Sequence, residues 1–110
     1  MPLNHRDRAI LQKVLEEIDF LTNTIKGISI DSFLANEEKK KAAAMTFINI
    51  GELVKNLSKE IIASQGFPYN QIRGLRHVAA HEYYALRFRD IWKTIEKDIP
   101  KLKIQIKSFL

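Results

Sequence analysis

Apolar residues recur along this chain at alternating steps of three and four. From Asp7 the series runs through Leu11, Val14, Ile18, Leu21 and Ile25 at spacings of 4, 3, 4, 3 and 4. Such spacing lines one face of an α-helix. A second series, Ala43, Phe47, Ile50, Val54 and Leu57, repeats it at 4, 3, 4 and 3. Asn36 is placed to cap that helix, with Glu37 and Glu38 in its first turn, where carboxylates complement the helix dipole. A helix of about 20 residues there would be about 30 Å long. Gly27 ends the first helix, Asp31-Ser32 suits a short helical turn, and Gly66-Phe67-Pro68 breaks the chain before a third helix from Asn70 to Glu82 or Tyr83.

The last series is Trp92, Ile95, Ile99, Leu102, Ile106 and Phe109, spaced 3, 4, 3, 4 and 3. Pro100 falls inside it. Proline costs about 3 kcal/mol in a helix interior and little at a first position, so Asp98 is expected to cap a separate terminal segment. The pattern predicts an all-α fold, an antiparallel bundle of four to five helices forming a single domain over residues 1–110.

Length and composition agree. A chain of 110 residues, 45% apolar and 28% charged, buries enough surface for one modest core and is not a disordered tail. No stretch reaches the ~20 apolar residues of a spanning helix, and the first eight residues lack the apolar centre of a signal peptide. The expectation is a cytoplasmic protein with no membrane segment. The absence of cysteine excludes disulfides, thiolate metal sites and a cysteine nucleophile.

Charge changes the picture more. Residues 1–70 carry nine basic and nine acidic residues, while residues 71–110 carry nine basic and four acidic. The whole net charge of +5 therefore lies in the last 40 residues. A one-sided positive field suits a polyanionic partner such as RNA, although a solvated basic helix face gives the same count. The run Lys39-Lys40-Lys41 reads as such a solvated face.

Chemistry concentrates between Gln71 and Tyr84. At about 100° per residue, Ile72, Leu75, Val78 and Ala79 share one side of the third helix, and Arg73, Arg76, His77 and His81 share the other. Arginine grips phosphate oxygens in a fork, and histidine exchanges protons near neutral pH. RNA supplies its own nucleophile, the 2′-hydroxyl. Cleavage then needs a base, an acid and charge stabilisation. One His81 cannot fill both proton roles in a single step, whereas two copies across a dimer axis can. His77 supports the site, binds phosphate or faces solvent. His77 and His81 have the spacing of a metal-ligand pair, but no third ligand is evident, so neither metal nor cofactor is expected. Glu52, among Ile50, Leu53 and Val54, is awkwardly placed for a carboxylate unless it pairs with an arginine of the third helix. The same wheel puts Tyr83 at the apolar border and Tyr84 on the cationic side.

The segment Arg76-His77-Val78-Ala79-Ala80-His81-Glu82-Tyr83 resembles the Arg-x4-His-x-Tyr motif of HepT-type toxins in the HEPN superfamily. The resemblance extends to Ile50-Gly51-Glu52 and to Ile91-Trp92-Lys93 through Asp98-Ile99-Pro100. It implies a homodimeric HEPN-like helical bundle whose two motif helices face a shared cleft. It also implies a metal-independent endoribonuclease acting as the toxin of a toxin–antitoxin pair. Its antitoxin partner would be a minimal nucleotidyltransferase that transfers AMP to the motif tyrosine. Arg76 and His81 would be catalytic, with His77, Arg73 and Glu52 supporting the site or binding RNA. Tyr83 would be the modification acceptor, ahead of Tyr84. One departure is His77, which stands where members usually carry a small polar residue, commonly asparagine. The alternative is a non-catalytic nucleotide- or RNA-binding subunit of a nucleotidyltransferase complex.

Overall fold

The computed structural model describes residues 3–110. The chain runs through α1 (His5–Ile25), α2 (Ile30–Leu34), α3 (Glu37–Val54), α4 (Lys59–Ile62), α5 (Tyr69–His81), a 3-10 turn (Tyr83–Ala85) and α6 (Phe88–Phe109). Among the described residues there is no strand. The fold is all-α, as the spacing predicts, with four long helices and two short ones.

Short polar side chains begin three of the helices. Asn4 Oδ1 accepts the Asp7 N–H at 2.7 Å, Ser29 Oγ accepts that of Ser32 at 3.1 Å, and Asn36 Oδ1 accepts that of Lys39 at 3.0 Å. Gly27 and Gly66 both sit at φ 79°, a left-handed conformation that other residues enter only at a steric cost. They stop α1 and the segment after α4.

Helix α3 is the centre of the bundle. It packs against α1 on one side and α5 on the other, while α6 lies on α1 and α2 wedges against α3 and α6. Leu11, Val14, Ile18 and Leu21 of α1 are completely buried, and the α3 and α6 seams close over them. Phe33 of α2 joins α6, its ring 5.2 Å from that of Trp92. The carboxylate heading the α1 seam has a purpose. Asp7 is buried, and its Oδ1 accepts the Ser58 N–H at 2.9 Å, which ties the entry to α4 to the start of α1.

Three expectations need correction. Helix α6 passes through Pro100 without a break, so Asp98 caps nothing. Pro100 and Glu96 are both exposed, so water can hydrate the carbonyl that the missing N–H leaves free. Helix α4 was not foreseen, because a single turn is too short to display a period. The lysine run is not a uniformly solvated face. Lys39 Nζ donates to the Thr24 carbonyl at 2.8 Å, and Lys40 pairs with Glu37 at 2.6 Å while lying 5.3 Å from the Phe88 ring centre. Lys41 alone of the three is exposed.

Candidate functional site

Helix α5 is set by a close crossing over α3. A β-carbon added at Gly51 would collide with Cβ and Cγ of Arg76, so glycine is what lets the two helices approach there. The crossing brings both α5 arginines onto α3. Arg73 Nη1 donates to the Gly51 carbonyl at 2.9 Å and lies 3.3 Å from Glu52 Oε1. Arg76 Nε lies 2.8 Å from the same oxygen. That contact is an ion pair without a good hydrogen bond, since the buried Nε–H is not aimed at the carboxylate. Lys55 Nζ takes the other carboxylate oxygen at 2.7 Å.

Glu52 thus sits among three cations. The Lys55 hydrogen bond, opposed by partial burial and reinforced by Arg73, holds its carboxyl below the ordinary carboxylate range. The structure therefore pairs Glu52 with arginines of the motif helix, the one arrangement that suits its position. A carboxylate at this point fixes the side-chain stems of Arg73 and Arg76 while cancelling only one of the three positive charges.

The two histidines are separate from this cluster. His77 and His81 both lie on the solvent side of α5, their ring centroids 5.0 Å apart. On the helical wheel Ala80, exposed and short, falls between Arg76 and the histidines. The two imidazoles are consequently accessible to a ligand, while the arginines are part-buried against Glu52.

The tyrosines differ sharply. Helix α5 ends at His81, and Glu82 at φ −136°, ψ 44° leaves helical geometry, so a helical wheel does not extend to either of them. Tyr84 is fully exposed. The Tyr83 hydroxyl is buried with no hydrogen-bond partner, and its ring lies 5.7 Å from that of Phe88. Burial, with Glu37 nearby, pushes the Tyr83 phenol above its ordinary pKa. Among the described residues no three His, Asp or Glu side chains gather as a metal site would require.

The apolar side of α5 is only partly used. Ile72, Leu75 and Val78 are half-buried and, with Phe47, Ile99 and Leu102, line an open groove of about 670 Å³ between α5 and α6. Two contributors received no physical role from the sequence, Gly51 entering only as part of the resemblance. Lys55 gave no signal beyond its charge. Gly51 did give one, a glycine in the middle of an otherwise good helix, which often marks a close backbone approach.

Comparison with known proteins assigns the chain to a family. A family model described as Ribonuclease HepT-like matches residues 14–109. A candidate RNase from Caldanaerobacter subterraneus subsp. tengcongensis is 38% identical over 104 residues, 94% of this chain and 93% of that protein. A candidate RNase from Methanocaldococcus jannaschii is 27% identical over 104 residues, 94% of this chain and 86% of that protein. A candidate ribonuclease HepT from Thermococcus cleftensis is also 27% identical, across 94% of this chain and 93% of its own length. No solved structure matches the chain significantly.

Proposed function

Because the chain belongs to the HepT-like ribonuclease family, matched over residues 14–109, we propose that it is a metal-independent endoribonuclease whose reacting groups are His81 and Arg76. Ribonuclease activity of the HEPN type is the family's property. The single observation that carries the assignment to residues is the open stripe on α5. It pairs exposed imidazoles with an arginine whose stem is fixed by Glu52.

In the reaction, His81 takes the proton from a 2′-hydroxyl and that oxygen attacks the adjacent phosphorus. The bond from phosphorus to the 5′-oxygen breaks, and His81 of a second copy returns a proton to the departing oxygen. The products are a 2′,3′-cyclic phosphate and a free 5′-hydroxyl. Arg76, held at Nε by Glu52, directs its remaining guanidinium N–H groups to the phosphoryl oxygens as negative charge builds. His77 and Arg73 bind flanking phosphate. The scheme requires a homodimer in which the cationic side of α5 from each copy faces a shared cleft, so that His81 of both copies reaches one phosphodiester.

The chain serves as the toxin of a toxin–antitoxin pair in the cytoplasm, opposite a minimal nucleotidyltransferase. Transfer of AMP to the Tyr83 hydroxyl would add a phosphate and a nucleoside to the turn that follows α5, opposing the positive field of the motif helix. Since that hydroxyl is buried, transfer requires the Tyr83–Ala85 turn to open. Tyr84, already exposed, is the other acceptor to examine by fragment mass spectrometry.

The test is cleavage of RNA in excess chelator by wild type and His81→Ala, both confirmed unmodified by intact mass. Wild type should cleave, and the variant should lose about 10²–10⁴ in rate while unfolding at the same temperature. Equal cleavage by the two proteins would sink the assignment of His81. No cleavage by unmodified wild type would favour the binding-subunit reading.

A further inference from the structure

Helix α6 carries a second, separate set of cations. Arg89, Lys93, Lys97 and Lys101 follow one another at steps of four. On a helix this spacing advances about 6 Å and turns about 40° per step, so the four head groups form a shallow spiral about 18 Å long. All four residues are exposed. Among the described residues none of them has an ion-pair partner, whereas Lys40, Lys55, Arg73, Arg76 and Lys103 each have one.

Like charges at this spacing repel one another, a repulsion that Asp90, Glu96 and Asp98, each three residues from Lys93 or Lys101, offset in part. The opposite face anchors the row. Ile91, Trp92, Ile95, Ile99, Leu102 and Ile106 are buried, which fixes the orientation of α6 and keeps the row turned outward.

The row also has a definite relation to α5. At one end Lys101 borders the groove that Ile72, Leu75 and Val78 of α5 line. At the other end Arg89 follows Phe88, whose ring lies 5.7 Å from that of Tyr83, in the turn directly after His81. Helix α6 therefore runs antiparallel to α5, and of the row Lys101 alone lines the groove between the two helices.

We propose that Arg89, Lys93, Lys97 and Lys101 form an exosite that holds the phosphate backbone of RNA flanking the bond to be cut. This rests on the ribonuclease reading and adds where the rest of the substrate lies. A row of flexible ammonium and guanidinium groups reads spacing and charge but no base edges. It gives affinity for long strands without sequence preference. An acidic protein surface rarely offers regularly repeated charge, whereas a nucleic-acid strand always does. The exosite is a binding element only, and its residues take no part in bond breaking.

The test compares wild type with the fourfold variant Arg89→Gln, Lys93→Gln, Lys97→Gln, Lys101→Gln. A charge-matched control carries Arg6→Gln, Arg8→Gln, Lys13→Gln and Lys26→Gln, all at exposed positions far from α6 in sequence. Circular dichroism establishes that each is folded. Cleavage of a long unstructured oligoribonucleotide should show KM raised tenfold or more in the α6 variant, with kcat unchanged. Binding measured by anisotropy in a His81→Ala background should lose about 3 units of its log–log salt slope, near 0.7 for each contact removed. The control should match wild type in both. A fall in kcat at constant KM, an unchanged salt slope, or the same loss in the control would overturn the exosite. If wild type binds the oligonucleotide but cleaves nothing, the ribonuclease reading fails, and the salt slopes alone still decide whether α6 holds the strand.

Discussion

Helices α1 and α5 both present an apolar face to α3, yet they use it differently. In α1 the facing residues Leu11, Val14, Ile18 and Leu21 are wholly removed from solvent. In α5 only Ala79 is buried, and Ile72, Leu75 and Val78 remain half-open along the groove. Helix α1 is held by its seam. Helix α5 is held as much by polar contacts at one crossing, where Gly51 admits Arg76 and Glu52 collects the arginines. A helix that spends its whole apolar face on its own core has little left to offer a partner. One that packs closely on α3 yet leaves part of its apolar face open keeps a charged stripe and an apolar margin available for binding.

The largest expected effect tests that contrast directly. Ile18→Ala in α1 should cost about 2–5 kcal/mol of stability, from lost burial and a cavity that cannot collapse. Leu75→Ala in α5 should cost roughly 1 kcal/mol in the single chain, because its side chain already meets solvent. Urea titration of both variants at low protein concentration separates them. Equal losses would mean that α5 is as deeply packed as α1.

Gly51→Ala comes next. One methyl group must push Arg76 off α3, which should cost about 1–3 kcal/mol as overpacking does. It should also lower ribonuclease activity beyond what the loss of folded protein explains, because α5 carries the reacting groups. Unfolding curves and kcat/KM measured together check this; a stability loss with activity intact would show that the crossing does not position the site.

A smaller effect follows from the titration of Glu52. Its folded pKa is lowered, so the stability it supplies is present above the ordinary carboxyl value of 4.5 and is lost as pH falls through the folded value. Glu52→Gln should flatten that part of the acid limb in thermal unfolding scans; an acid limb identical to wild type would show that Glu52 does not supply it.

The smallest effect belongs to Tyr83→Phe. Removing a buried hydroxyl that bonds to nothing should leave stability unchanged or raise it by up to about 1 kcal/mol. The wild-type phenol has a raised pKa, so its contribution is full below the ordinary value of 10.0 and disappears as pH rises through the folded value. The phenylalanine variant should lack that alkaline loss.

Much of the fold was legible in the sequence because α1, α3 and α6 each bury one face against a common core, which stamps a three–four period on the chain. Helix α4 left no such period, and Pro100 misdirected the reading of α6 because its exposed side was not visible in the spacing. The Arg73, Arg76, His77 and His81 stripe was legible too, since helical geometry alone groups it. The tyrosines were not, because the wheel assumed a helix that Glu82 ends.

The sequence by itself determined where the long helices run, which side of α5 is charged, and that the positive excess lies after residue 70. These depend on local periodicity and counting. Tertiary structure decided which charges are free. Arg73, Arg76 and Lys55 meet Glu52 only because α3 and α5 cross at Gly51, whereas the α6 row meets no carboxylate among the described residues. Ion pairing falls off steeply with distance, so charges alike in sequence become anchors or open contacts according to what the fold brings beside them.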